Sequence, residues 1–127
     1  MKIGIVEYGG ELNKIFQSEV SKNIETADFQ VKKALDLFDV LAFARKMSDL
    51  DQLVIIADME DQEPDVKRVF LQGLATLEEE TGKNIFKCLY EDDGEGQVKE
   101  LAETFFNYLF HPERLEKEKE KENEFPL

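Results

Sequence analysis

The chain has 127 residues, 42% hydrophobic and 35% charged, and a formal net charge of −13 from 29 acidic and 16 basic side chains. That length supports one domain with its own core. That charge repels phosphate backbones and anionic membrane surfaces, so neither nucleic acid nor membrane is an expected partner.

The first apolar run, IGIV (Ile3–Val6), predicts a strand over Lys2–Val6, with Glu7-Tyr8-Gly9-Gly10 as the turn after it. A first helix is expected over Glu11–Asn23, with Leu12, Ile15, Phe16, Glu19 and Val20 at helical spacing. Asp28–Val31 reads as a short second strand. A second helix is expected over Leu35–Met47, capped by Asp36 or Asp39. The run QLVIIA (Gln52–Ala57) predicts strand three, and Asp58–Glu63 an acidic loop. Pro64 suits the first turn of a helix running to Thr81, with Glu63 or Asp61 as its cap and Gly82 as its C′ residue. The inward stripe of that helix is Val66, Val69, Phe70, Gly73, Leu74 and Leu77, and Gly73 implies close approach of a neighbouring strand or subunit. Asn84–Tyr90 predicts strand four and Glu91–Gly96 the next loop. A fourth helix is expected over Gln97–Phe110, with Val98, Leu101, Ala102, Phe105 and Leu109 inward. Phe106 and Tyr108 fall off that stripe and suggest a subunit contact.

Near-continuous apolar strands alternating with amphipathic helices indicate a parallel sheet covered on both faces. The expected fold is α/β: a three-layer α/β/α sandwich with a four-stranded parallel sheet, of the flavodoxin-like kind. One domain is expected over 1–112, followed by a charged Glu/Lys-rich tail over 113–127. No apolar run approaches the roughly 20 residues that span a bilayer. The first strand begins at once, without a signal-peptide pattern, so the expected location is cytoplasmic. Cys88 is the single cysteine, which excludes an internal disulfide. Inside a strand it reads as a small buried hydrophobe.

Ligands of such sheets bind at the carboxyl ends of the strands. That places a site near Glu7–Gly10, Asp58–Glu63 and Glu91–Gly96. Gly9-Gly10 lacks the spacing of a nucleotide loop and reads either as a turn admitting a ligand to the backbone or as a plain tight turn. The acids Asp58, Glu60, Asp61, Glu63 and Asp65, and Glu91, Asp92, Asp93 and Glu95, are of the oxygen type that suits Mg²⁺, though no calcium-loop spacing is present. Asp58 after strand three is also compatible with a phosphoacceptor receiver, but only Glu7 follows strand one and no fifth strand is evident. Arg68 lies one turn into the third helix, where it either binds an anionic or carbonyl oxygen or pairs with Asp61 or Asp65. His111, the one histidine, reads as a surface residue at a helix end.

GLATLEEETGKNIFKC (Gly73–Cys88), LYEDD (Leu89–Asp93) and AETFFNYLFHPERL (Ala102–Leu115) resemble the archaeal-type riboflavin synthases, homologues of lumazine synthase. MKIGIVE (Met1–Glu7) looks like that family's first strand, and FDVLAFARKM (Phe38–Met47) like its second helix. The most specific match is the Leu-Phe-x-Pro-Glu-x-Leu pattern at Leu109–Leu115. The resemblance implies a homo-oligomer, a pentamer above all, with a pocket between neighbouring subunits for a ribityl-substituted pyrimidine or pteridine. It implies, for an active chain, a transferase of the riboflavin synthase or lumazine synthase type; the one cofactor the sequence leaves open is Mg²⁺, through the acidic loops. Carried onto this chain, it gives Arg68 and Glu91 as catalytic residues. The ligand contacts it gives are Glu7, Tyr8, Phe38, Asp39, Asp58, Met59, Tyr90 and Asp92. The chain departs from the family where Arg68 stands for a histidine early in helix three, with Val69 beside it for a glutamate. Tyr90 stands for a further histidine, and the Glu/Lys run replaces an arginine-bearing glycine-rich tail. The alternative is a catalytically inactive paralogue acting as a ligand-binding or protein-interaction module.

Overall fold

The structure, a computed structural model, describes residues 1–110. His111, Pro112, the Glu/Lys-rich tail and the last five residues of the Leu109–Leu115 pattern lie outside the described residues. The elements alternate along the chain: β1 (Lys2–Tyr8), α1 (Asn13–Ser21), β2 (Asp28–Lys33), α2 (Leu37–Lys46), β3 (Gln52–Asp58), α3 (Pro64–Thr81), β4 (Ile85–Tyr90) and α4 (Gly94–Phe110). The four strands form one all-parallel sheet in the order β2-β1-β3-β4.

The continuous apolar runs of β1 and β3 follow from burial on both faces. Along β1, Ile3 and Ile5 enter one cluster with Phe16 and Val20 of α1 and Val98, Ala102 and Phe105 of α4. Val6 points the other way, into a second cluster with Val40 and Ala44 of α2 and Phe70, Leu74 and Leu77 of α3. The strand pleat thus builds two cores around one sheet, and the sandwich is the three-layer arrangement expected. In the first core, Phe105 meets Phe16 and Phe86 edge to face, with ring centroids 5.5 and 5.0 Å apart.

Several boundaries and faces differ from expectation. β2 extends two residues past Val31, because Lys32 and Lys33 continue the pairing opposite Val6 and Glu7. α4 begins at Gly94 rather than Gln97, because the Asp93 side chain accepts the Gly96 N–H and starts the helix across two glycines. Gly94 is required there: a Cβ would lie 2.5 Å from Leu12 and 3.0 Å from the Tyr90 ring. Val69 is not in the buried stripe of α3 but 44% exposed. Within the chain the close neighbour of Gly73 is Leu41 on α2, a helix and not a strand. Phe106 and Tyr108 are partly buried. Both pack on the first core, Tyr108 edge-on to Phe86 with centroids 5.1 Å apart. Asp36, not Asp39, caps α2 by accepting the Asp39 N–H, while the Asp39 carboxylate accepts the Leu35 N–H in return. Glu63 is the N-cap residue of α3 but makes no side-chain cap bond, and Gly82 closes that helix in the left-handed conformation. Among the described residues no helix is long and apolar enough to cross a membrane.

Candidate functional site

The carboxyl ends of β1, β3 and β4 bring together most of the residues that the sequence singles out. The pleat then sorts them onto opposite faces. Glu7 and Tyr90 turn toward α1 and α4, and Asp58 follows as the register partner of Tyr90. Tyr8 and Met59 turn toward α2 and α3. What reads in the sequence as one site is therefore two environments.

The first environment is closed. Glu7 is fully buried. Its carboxylate accepts the backbone N–H of Asn13 at 3.2 Å, the Asn13 Nδ2 amide, and the Lys33 ammonium at 2.9 Å. Lys33 is also the lateral register partner of Glu7 across β1 and β2. The N-cap residue of α1, Leu12, has no side chain that accepts a hydrogen bond, and the first turn carries no acid of its own. Glu7 supplies that missing anion from the neighbouring strand end. Lys33 also donates to the Gly10 carbonyl and so ties down the turn that follows.

That turn folds back over β3. Gly9 and Gly10 hold φ of 75° and 70°, and a Cβ on Gly9 would stand 2.8 Å from Asp58 Cβ. Tyr90, 8% exposed, donates its hydroxyl to the Gly9 carbonyl at 3.3 Å. Burial, with the Asp58 and Glu7 charges beside it, pushes the Tyr90 phenol up to about 12. Asp58 accepts the Glu60 N–H at 2.9 Å. On the other face, Tyr8 accepts from Gln62 Nε2 at 3.3 Å. The glycine pair is thus a tight turn packed on the chain's own side chains. The partners of Glu7, Asp58 and Tyr90 are structural ones. Cys88 lies under the same layer, 4% exposed, its thiol pushed up to about 11 by burial and by Glu100 and Glu7. That suits an inert core residue and not a nucleophile.

The second environment is open. A concavity of about 450 Å³ lies between α3, the end of β4 and the start of α4. Met59, Leu71 and Leu89 give it apolar walls, and Lys67, Glu91, Asp92 and Gln97 line it with charge and amide. Lys67 reaches the Glu91 carboxylate in an ion pair. Of the two roles expected for Arg68, the structure shows the pairing with Asp65, at 3.4 Å on the exposed side of α3, and Arg68 does not line the cleft. Successive helical residues point about 100° apart, so the residue facing the strand exits is Lys67. Lys67, Leu71, Leu89 and Gln97 are the cleft residues that the sequence reading does not single out. Phe38 and Asp39 sit apart at the start of α2, Phe38 half exposed and Asp39 held by its cap bond.

A hollow of about 500 Å³ follows the outer edge of β4 against Glu100, Leu101 and Thr104 of α4. It is the groove beside a sheet edge that no further strand covers among the described residues, and with the strand-exit cleft it shares Leu89 and Gln97. The smaller hollow carries the convergent polar groups and lies where α/β sheets bind ligands, and it is the candidate site. Among the described residues, no group of three or more His, Cys, Asp or Glu side chains is placed to hold a metal ion. Asp58 and Asp93 are turned onto backbone N–H groups, and Glu91 onto Lys67. No protein-family model matches the chain, and no curated protein matches its sequence.

Proposed function

We propose that this protein binds a ribityl-substituted pteridine or flavin-type ligand in the strand-exit cleft between α3 and β4, without turning it over. The observation that carries this reading is the lining of that cleft. Flat apolar walls from Met59, Leu71 and Leu89 suit a heteroaromatic ring, and Lys67, Glu91, Asp92 and Gln97 offer the donors and acceptors a polyol chain needs. The resemblance of Gly73–Cys88, Leu89–Asp93 and Ala102–Leu115 to the archaeal-type riboflavin synthases supports the same ligand class. Leu71 lines the cleft yet is 48% exposed, so a second copy of the chain would complete the wall, in keeping with a homo-oligomer.

Turnover is not part of the proposal. General acid–base chemistry calls for a positioned group that titrates near neutrality, most often histidine. None of the described residues lining the cleft is a histidine. The test is a titration of the pure protein with ribityllumazine and with riboflavin, reading ligand fluorescence and following riboflavin formation. Binding should perturb the fluorescence with no product above a blank. Steady riboflavin formation would make the protein an enzyme. No response to either ligand at high micromolar concentration would remove the ligand class.

A further inference from the structure

One edge of the sheet stands open. The Tyr90 carbonyl accepts the Met59 N–H at 2.7 Å and so points toward β3. Backbone groups alternate in direction along a strand. Phe86, Cys88 and Tyr90 therefore bond to β3, while the N–H and C=O groups of Ile85, Lys87 and Leu89 point away from the sheet. Among the described residues no strand pairs with them. Open edges are commonly guarded by charge. The opposite edge strand, β2, carries Asp28, Gln30, Lys32 and Lys33. β4 carries one charge, Lys87, and its ammonium is drawn onto Glu78 of α3. Beside this edge runs the hollow of about 500 Å³, where Leu89 and Leu101 give apolar surface and Gln97, Glu100 and Thr104 form the α4 rim. No ion pair among the described residues engages Glu100.

Two occupants drawn from this chain fit the edge poorly. α4 packs on the same face as α1, and a right-handed connection over that face leads from β1 to β2, away from β4. A parallel strand following α4 beside β4 would thus need the rare left-handed crossover. A second copy would bring a net charge of −13 and its own Glu100 to the same edge. We propose that the β4 edge docks an extended segment of a basic partner protein, which pairs with Ile85, Lys87 and Leu89 as an added strand and sets a lysine or arginine against Glu100. Alternate side chains of such a strand fall on opposite faces of the sheet. Basic residues at every second position meet the α4 rim, and the residues between them lie over the Lys87 and Leu89 side.

The probe is a blocked peptide of about eight residues alternating lysine and valine, titrated into the full chain, with a glutamate–valine peptide of the same length as control. Amide hydrogen exchange reads the edge residue by residue. In the free chain the outward amides of Lys87 and Leu89 should exchange fast. Saturating lysine peptide should slow both by at least roughly tenfold and leave Cys88, already bonded to β3, unchanged. Glu100→Gln should weaken the lysine peptide about two- to fivefold, and the control peptide should bind at least roughly tenfold more weakly than the lysine one. Absence of binding at millimolar peptide overturns the proposal, as does binding that leaves the Lys87 and Leu89 amides fast. Equal binding of the two peptides overturns the basic character of the partner. Slow exchange at Lys87 and Leu89 before any peptide is added shows the edge already covered and overturns the docking surface; dependence of that protection on protein concentration identifies a second copy as the cover, and independence the chain itself.

Discussion

Glu7 offers the sharpest test of the closed environment, because a fully buried carboxylate has three donors aimed at it. In Glu7→Ala the Asn13 amide and backbone N–H lose their acceptor in a site where Asn13 is only 4% exposed. Each buried group left unpaired costs about 1–3 kcal/mol. Lys33 is 44% exposed and regains water, so its loss adds little. The missing anion at the start of α1 adds about 0.3–1 kcal/mol. The sum is a destabilisation of about 2–7 kcal/mol, which brackets the roughly 3–5 kcal/mol for removing one partner of a buried ion pair. Glu7→Gln keeps one acceptor oxygen and should cost less, about 1–3 kcal/mol. Asn13→Ala removes the donors' side-chain half, and the double variant Glu7→Ala/Asn13→Ala should cost less than the two single variants added together. Urea unfolding followed by far-UV circular dichroism measures all four, with the midpoint compared at constant slope. If Glu7→Ala lies within about 1 kcal/mol of the wild type, the carboxylate does not cap α1 and the reasoning fails.

Four other outcomes follow from the same geometry. Gly9→Ala places a Cβ against Asp58 at a positive φ and should cost about 2–3 kcal/mol, whereas Gly82→Ala meets nothing within 4 Å and should cost only about 1 kcal/mol in the same unfolding assay. Lys67→Ala should change the affinity for riboflavin several-fold, while Arg68→Ala leaves it within about twofold, as read by dialysis. Tyr90 is held neutral in the folded chain, its phenol moved from 10.0 to about 12. The folded-state value is raised, so its contribution to stability is complete below pH 10.0 and is lost as pH rises toward about 12. Phenolate absorbance should show one tyrosine ionising last, and Tyr90→Phe should remove that late step. Cys88, raised from 9.0 to about 11, should react with a thiol reagent near pH 8 only as fast as the chain opens.

The layer order was legible because parallel strands buried on both faces leave continuous apolar runs, as IGIV and QLVIIA do, and because α3 carries its apolar residues at helical spacing. β2 was read short because DFQVKK is an edge strand whose ends are polar, and its last residue is fixed by Glu7, 26 positions away. Distance in sequence also hid the difference between a ligand contact and a cap. Glu7 at a strand exit looks the same in either role until Asn13 and Lys33 are in place. Lys67 went unnoticed beside Arg68 for a related reason. Local spacing gives the apolar face of a helix, but which of two adjacent cations meets the next strand depends on the rotation of α3 against β4. Gly73 announced a close neighbour without saying which, and its neighbour proved to be Leu41 on the adjoining helix.

The alternation of side chains at the strand ends separates two tasks that many enzymes run through the same residues. Polar groups on the α1/α4 side fasten loops, while those on the α2/α3 side and the rim of β4 stay accessible. A chain built this way can exchange the chemistry of one wall while the fastenings behind the other stay intact. Divergence in what it recognises then needs no matching loss of folding stability. An engineer wishing to retarget it would vary Lys67, Leu71, Asp92 and Gln97 together and leave Glu7, Gly9, Asn13 and Lys33 alone.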